Sequence, residues 1–127
     1  MKKNIVLYFI IGLSFLCCKQ EASSKNLTNL SPEEFQMTLN SNTVQLIDVR
    51  TPKEFNSGHI PTAVNADFFS DDFSKMINKF DKEAPVYIYC RSGKRSGKSV
   101  DEFQKAGFTK IYNLEGGFLN WKSKGYK

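Results

Sequence analysis

Cys90 follows the apolar run Val86-Tyr87-Ile88-Tyr89 and leads into Arg91-Ser92-Gly93-Lys94-Arg95-Ser96, so a cysteine stands where a buried strand gives way to a small, basic, glycine-containing loop. Strand, tight loop and helix in succession aim backbone N–H groups and the positive end of a helix at the loop, which favours an anion such as a thiolate. Arg91, Lys94 and Arg95 add positive charge. The size of the effect decides whether it matters. A free thiol of pKa about 8.5 is only about 3% ionised at pH 7, and a depression of about two units, worth roughly 2.7 kcal/mol, makes it mostly thiolate. No separate base is then needed. The competing reading is a strand-end cysteine packed as a small hydrophobe, and the chemistry of the loop weighs against it. Reactivity carries a condition: the sulfur must stay both charged and exposed.

Other polar residues divide into those that share this pocket and those with a plainer use. In an α/β sheet ligands bind outside the carboxyl ends of the strands, which places the loop after Val49 beside the loop after Tyr89. Asp48 and Arg50 therefore line or brace the same pocket; bracing through an internal ion pair is the reading preferred for Asp48, while Arg50 also suits an anionic ligand. His59, the single histidine, sits in Gly58-His59-Ile60-Pro61, a rigid turn, and reads as structural rather than as a partner for the sulfur. Asp101 and Glu102 fall about two turns down the helix after Cys90 and read as its solvated face. Phe118 and Trp121 have the spacing of core anchors. One histidine and one remaining thiol offer no zinc-type ligand spacing, so neither metal nor cofactor is expected.

The elements that must position these residues are legible from caps and periodicity. Leu27-Thr28-Asn29-Leu30 predicts a short edge strand, and Ser31-Pro32-Glu33-Glu34 a capped helix through about Leu39. Val44 to Val49 has the composition of a buried parallel strand. Thr51-Pro52 starts a short helix that Gly58 ends, and Ala63-Val64-Asn65 is a brief strand. A helix is predicted over residues 71–79, the Cys90 strand over 86–89, and a helix over 96–105 stopped by Gly107. A last strand at 110–114 precedes a closing helix after Glu115-Gly116-Gly117. Strands alternating with helices at short spacing predict a parallel sheet with helices on both faces.

At 127 residues, with 40% hydrophobic and 24% charged, the chain has room for one globular domain. Its first stretch is of another kind: Lys2 and Lys3 precede an apolar run from Ile5 to Leu16, too short to span a bilayer comfortably but suited to a secretory signal. That run ends at Cys17-Cys18 before polar residues, and it resembles a bacterial lipoprotein signal with Cys18 as the lipid-bearing cysteine. The expected organisation is a signal over 1–18, a flexible tether over 19–26 and the domain over 27–127, exported to the periplasm or cell envelope with membrane anchoring through Cys18. Formal charge is +5, or +3 once Lys2 and Lys3 are gone. With no long basic run outside the Cys90 loop, nucleic-acid binding finds no support, and the local cluster suits a small anionic substrate. Cysteine usage agrees, because processing at Cys18 leaves Cys90 without a disulfide partner.

Four segments in order are similar to the single-domain rhodaneses, the thiosulfate sulfurtransferase family, from about Leu30 to Gly125. They are Leu46-Ile47-Asp48-Val49-Arg50 with Glu54-Phe55, then Gly58-His59-Ile60-Pro61-Thr62-Ala63-Val64-Asn65, then the Cys90–Ser96 loop, and finally Leu114-Glu115-Gly116-Gly117-Phe118-Leu119-Asn120-Trp121. The resemblance implies a five-stranded parallel sheet and a persulfide carried on Cys90. It implies that the amides from Arg91 through Ser92, Gly93, Lys94 and Arg95 to Ser96 hold the terminal sulfur. Arg95, with Arg91 or Lys94, would clamp the sulfonate oxygens of the donor, and a thiol or protein would accept the sulfur. A phosphatase or arsenate reductase of the same architecture needs five residues between cysteine and arginine, whereas Cys90 and Arg95 enclose four. A non-catalytic binding module is the rival from another class, and retention of Cys90 speaks against it.

Overall fold

The computed structural model describes residues 26–127; the signal expected over 1–18, the lipidation expected at Cys18 and tether residues 19–25 lie outside the described residues. The described chain runs β1 (Leu27–Leu30), α1 (Pro32–Ser41), β2 (Gln45–Asp48), α2 (Pro52–Ser57), β3 (Val64–Asn65), α3 (Phe73–Ile77), β4 (Val86–Tyr89), α4 (Lys94–Ala106), β5 (Ile111–Leu114) and α5 (Gly117–Ser123). All strand pairs are parallel, in the order β1-β5-β4-β2-β3. This is the five-stranded α/β sheet expected.

Alternation along the strands sorts the core into two layers. Ile47, Val86, Ile88, Cys90 and Ile111 pack with Phe73 and Ile77 of α3 and Val100 and Phe103 of α4. Leu46, Tyr87, Tyr89 and Leu114 pack on the other side with Phe35 of α1, Trp121 of α5 and Phe55 of α2. β4, buried along its whole length, is the shared spine. Each fully buried large apolar side chain contributes about 1.5–3 kcal/mol, so the double layer is what holds the strand ends still.

Several boundaries move for physical reasons. α1 carries the reciprocal cap of Ser31 and Glu34 and continues to Ser41 before Asn42 ends it. α3 is shorter than expected, since Asp72 at its start makes no side-chain cap. α4 begins at Lys94, two residues before the predicted start, because Gly93 adopts a left-handed conformation (φ 95°) that lets the helix open inside the loop. That shift brings the first helical turn under the sulfur.

Candidate active site

β2 and β4 are neighbours, yet the chain leaves them for opposite faces: α2 joins the layer of Trp121, and α4 joins the layer of Phe103. Such a divergence opens a crevice at the carboxyl ends of the two strands. Cys90 stands at its floor, one residue past β4.

The peptide units around Cys90 are held from below. The Phe118 N–H donates to the Cys90 carbonyl at 2.8 Å and the Leu119 N–H to the Arg91 carbonyl at 3.0 Å, so the start of α5 grips the loop backbone. With both carbonyls turned away, the N–H groups that follow turn toward the sulfur. Gly117 permits the approach: a Cβ there would lie 2.6 Å from the carbonyl oxygens of Cys90 and Arg91. Its role was not visible in the sequence, where Gly116-Gly117 reads only as a turn.

The Cys90 sulfur accepts from the Gly93 N–H at 3.1 Å and lies 3.4 Å from the Ser96 hydroxyl, which is also 3.1 Å from the Gly93 carbonyl. Burial pushes the thiol pKa up, but the Ser96 hydroxyl and the amides of Ser96, Ser92 and Gly93 outweigh it, and the net shift is downward. Fixed dipoles aimed at the sulfur thus favour the thiolate. One expectation needs correction. Cys90 is only 1% exposed, not the open nucleophile that the sequence reading required. The reason is the loop's tightness: the same groups that stabilise the charge close over it. Around it, Arg91, Ser92 and Lys94 are exposed at the rim.

The cations of the loop have separate fates. Arg91 and Lys94 face solvent, whereas Arg95 crosses the crevice to α2. Its two terminal nitrogens donate to the two oxygens of Glu54, each at 2.8 Å, and its guanidinium lies 5.5 Å from the Phe69 ring centroid. Glu54 holds the Arg95 pKa up through these bonds, and Arg95 in turn holds the Glu54 carboxyl below its ordinary value. The free guanidinium expected for a sulfonate clamp is therefore already engaged. Glu54 read locally as a cap partner of Thr51, whose hydroxyl does accept from the Glu54 N–H at 3.3 Å. Nothing in local spacing points to a residue 41 positions away.

Asp48 and Arg50 brace the crevice. The Arg50 backbone N–H and Nε both donate to Asp48 Oδ1, at 2.9 and 3.0 Å, and its terminal nitrogen bonds Asp48 Oδ2 and the Gly58 carbonyl, each at 2.7 Å. Arg50 also lies 4.4 Å from the Phe118 ring centroid. The pair ties β2, the end of α2 and α5 into one wall. Arg50 is 4% exposed, which removes it from direct contact with an anion in the crevice. His59 places Nδ1 2.9 Å from the Phe55 carbonyl and stacks on the Phe55 ring, a local lock on the turn. Glu102 pairs with Lys105 on the outer face of α4, and Asp101 is exposed. Among the described residues no group of three or more His, Cys, Asp or Glu is placed to hold a metal ion. Two open cavities, of about 340 and 210 Å³, do not include Cys90; the larger lies by Val44, Gln45 and Pro85, at the opposite ends of β2 and β4.

This strand, amide loop and helix around a cysteine is matched by the Rhodanese-like domain profile over residues 31–124. The chain belongs to the rhodanese-like family. It is 33% identical over 120 residues to the uncharacterized protein YqhL of Bacillus subtilis, spanning 94% of this chain and 92% of that protein. It is 32% identical over 100 residues to the thiosulfate sulfurtransferase GlpE of Pseudomonas aeruginosa, spanning 79% of this chain and 88% of that one. A rhodanese-like domain protein from Staphylococcus aureus superposes with a TM-score of 0.66 at 34% identity, covering 74% of this chain and 90% of that structure. Relatives differ in function, since the tRNA uridine(34) hydroxylase of Pelagibacter ubique is 34% identical over a span that is only 34% of its length. Every residue of the crevice described above lies within the matched rhodanese-like span.

Proposed function

We propose that this rhodanese-like domain is a sulfurtransferase that moves a sulfane sulfur from thiosulfate or a related anionic donor to a thiol or protein acceptor through a persulfide on Cys90. The observation that carries the reading is the inward turn of the loop amides and the Ser96 hydroxyl onto one sulfur whose pKa they lower. The loop must open far enough to uncover the Cys90 sulfur, 1% exposed at rest, and the thiolate then attacks the outer sulfur of the donor. A sulfur–sulfur bond forms at Cys90, the donor's own sulfur–sulfur bond breaks, and sulfite leaves with the electron pair. The terminal persulfide sulfur keeps one negative charge, which the loop amides are oriented to receive. A nucleophilic acceptor then bonds that sulfur and returns Cys90 as thiolate, giving two half-reactions that share one enzyme form.

Arg91 and Lys94 at the rim supply charge for the departing sulfonate oxygens, and Asp48 with Arg50 keeps the crevice wall in place. The segment before the domain supports a location as well: a lipid on Cys18 and the tether after it would hold the domain at a membrane surface facing an exported compartment. Purified mature protein given thiosulfate and cyanide is expected to release thiocyanate, and Cys90→Ser to lower the rate at least about a thousandfold, as loss of a covalent nucleophile does. Unchanged turnover in the serine variant would end the proposal. Intact mass from cells reads both modifications, a lipid at Cys18 and one added sulfur at Cys90.

A further inference from the structure

The crevice between β2 and β4 is the place where a donor must sit, and it is bridged by a carboxylate. Glu54 on α2 meets the two terminal nitrogens of Arg95 on α4, each at 2.8 Å, with the carboxylate side chain 30% and the guanidinium 19% exposed. A fork held at both tines on one side, with Phe69 lying over it, has little freedom to turn toward a second anion. The pair's net charge is zero. Thiosulfate brings two negative charges to a site that already holds a thiolate, so it depends on uncompensated cations more than a donor with one charge does.

Resting on the sulfurtransferase reading above, we propose that Glu54 is the donor-specificity residue of the site, cancelling the charge of Arg95 and biasing Cys90 toward sulfane donors of lower negative charge than thiosulfate. Two probes with the same reacting bond separate the charge effect from the chemistry. Thiosulfate loses sulfite when Cys90 takes its outer sulfur; benzenethiosulfonate, a monoanion, loses benzenesulfinate by the same displacement. In both, one sulfur–sulfur bond forms as another breaks, and the leaving group departs with the electron pair.

The measurement is the ratio of kcat/KM for thiosulfate to that for benzenethiosulfonate, with cyanide as acceptor. Glu54→Gln keeps a hydrogen-bonding partner for Arg95 and removes the charge; it is expected to raise the ratio about fivefold, mainly through a lower KM for thiosulfate, with the gain shrinking in high salt. Arg95→Gln removes the cation and leaves the carboxylate facing the crevice, so it is expected to lower the ratio by a similar factor. Opposite movement of the first two variants is the signature of charge. Movement of both ratios downward would make Glu54 a strut that positions Arg95 and would overturn the assignment, as would no movement in either. Should Glu54→Gln not fold, Glu54→Ser takes its place, with a raised ratio expected and a lowered or unchanged one overturning the assignment. Intact mass separates the two levels: no added sulfur on parent Cys90 from either donor defeats the sulfurtransferase reading, whereas sulfur loading without the opposed ratios defeats only the role of Glu54.

Discussion

Two arginine–carboxylate pairs stand at the same edge of the sheet and share little beyond their chemistry. Asp48 and Arg50 are two residues apart, 0% and 4% exposed, with further bonds to the Arg50 backbone N–H and the Gly58 carbonyl. Glu54 and Arg95 are 41 residues apart, join two helices across the crevice and remain open to solvent. In the first, every polar atom taken from water is repaid by a fixed partner, and the pair acts as part of the wall. The second is open to screening by salt and to protonation of its carboxylate. Burial, more than the identity of the groups, decides which pair is scaffold and which is adjustable.

The contrast can be broken most directly at Arg50. Replacing it with alanine strands the Asp48 carboxylate in the interior, and the expected loss is about 3–5 kcal/mol, read as a lower urea midpoint at unchanged slope. A loss below about 1 kcal/mol would erase the distinction. The thiol between the pairs gives an intermediate effect. Ser96→Ala removes a hydroxyl donor from the sulfur and should slow alkylation of Cys90 at neutral pH about tenfold by moving its titration up toward the ordinary thiol range. Because the folded pKa is depressed, stability from the thiolate is complete above the ordinary thiol pKa and is lost as pH falls through the lower folded value. An alanine variant that titrates like the parent would remove Ser96 from the site.

The smallest effect belongs to the outer pair. Glu54→Gln should cost less than about 1 kcal/mol, as partly exposed pairs do. The bonds from Arg95 depress the Glu54 carboxyl, so its contribution is present above the ordinary carboxylate pKa and fades as pH falls through the depressed one. Parent and variant stabilities should therefore converge in acid. A difference of several kcal/mol that persists there would class this pair with the buried one.

Much of the fold was legible because its signals are local. The cap at Ser31 with Pro32 and Glu34, the repeat of that pattern at Thr51, and the left-handed stop at Gly107 each act within one helical turn. Cys90 was legible because strand, basic loop and helix adjoin it directly. What escaped was set by distant partners: the grip of α5 on the Cys90 and Arg91 carbonyls, and the engagement of Arg95. Even the accessibility of the sulfur was misjudged, since the closing groups are also the stabilising ones.

The amino-acid sequence alone determined the order of strands and helices, the cysteine at the end of β4 and the positive charge beside it, because caps, alternation and loop composition operate over a few residues. Only the tertiary structure decided that Glu54 would meet Arg95, that Gly117 would lie under Cys90, and that Arg50 would turn inward to Asp48. The first two depend on which strands become neighbours, and the third on which side chain the packed layers exclude from water. Those choices are made by the whole core at once, and no short stretch of chain carries them.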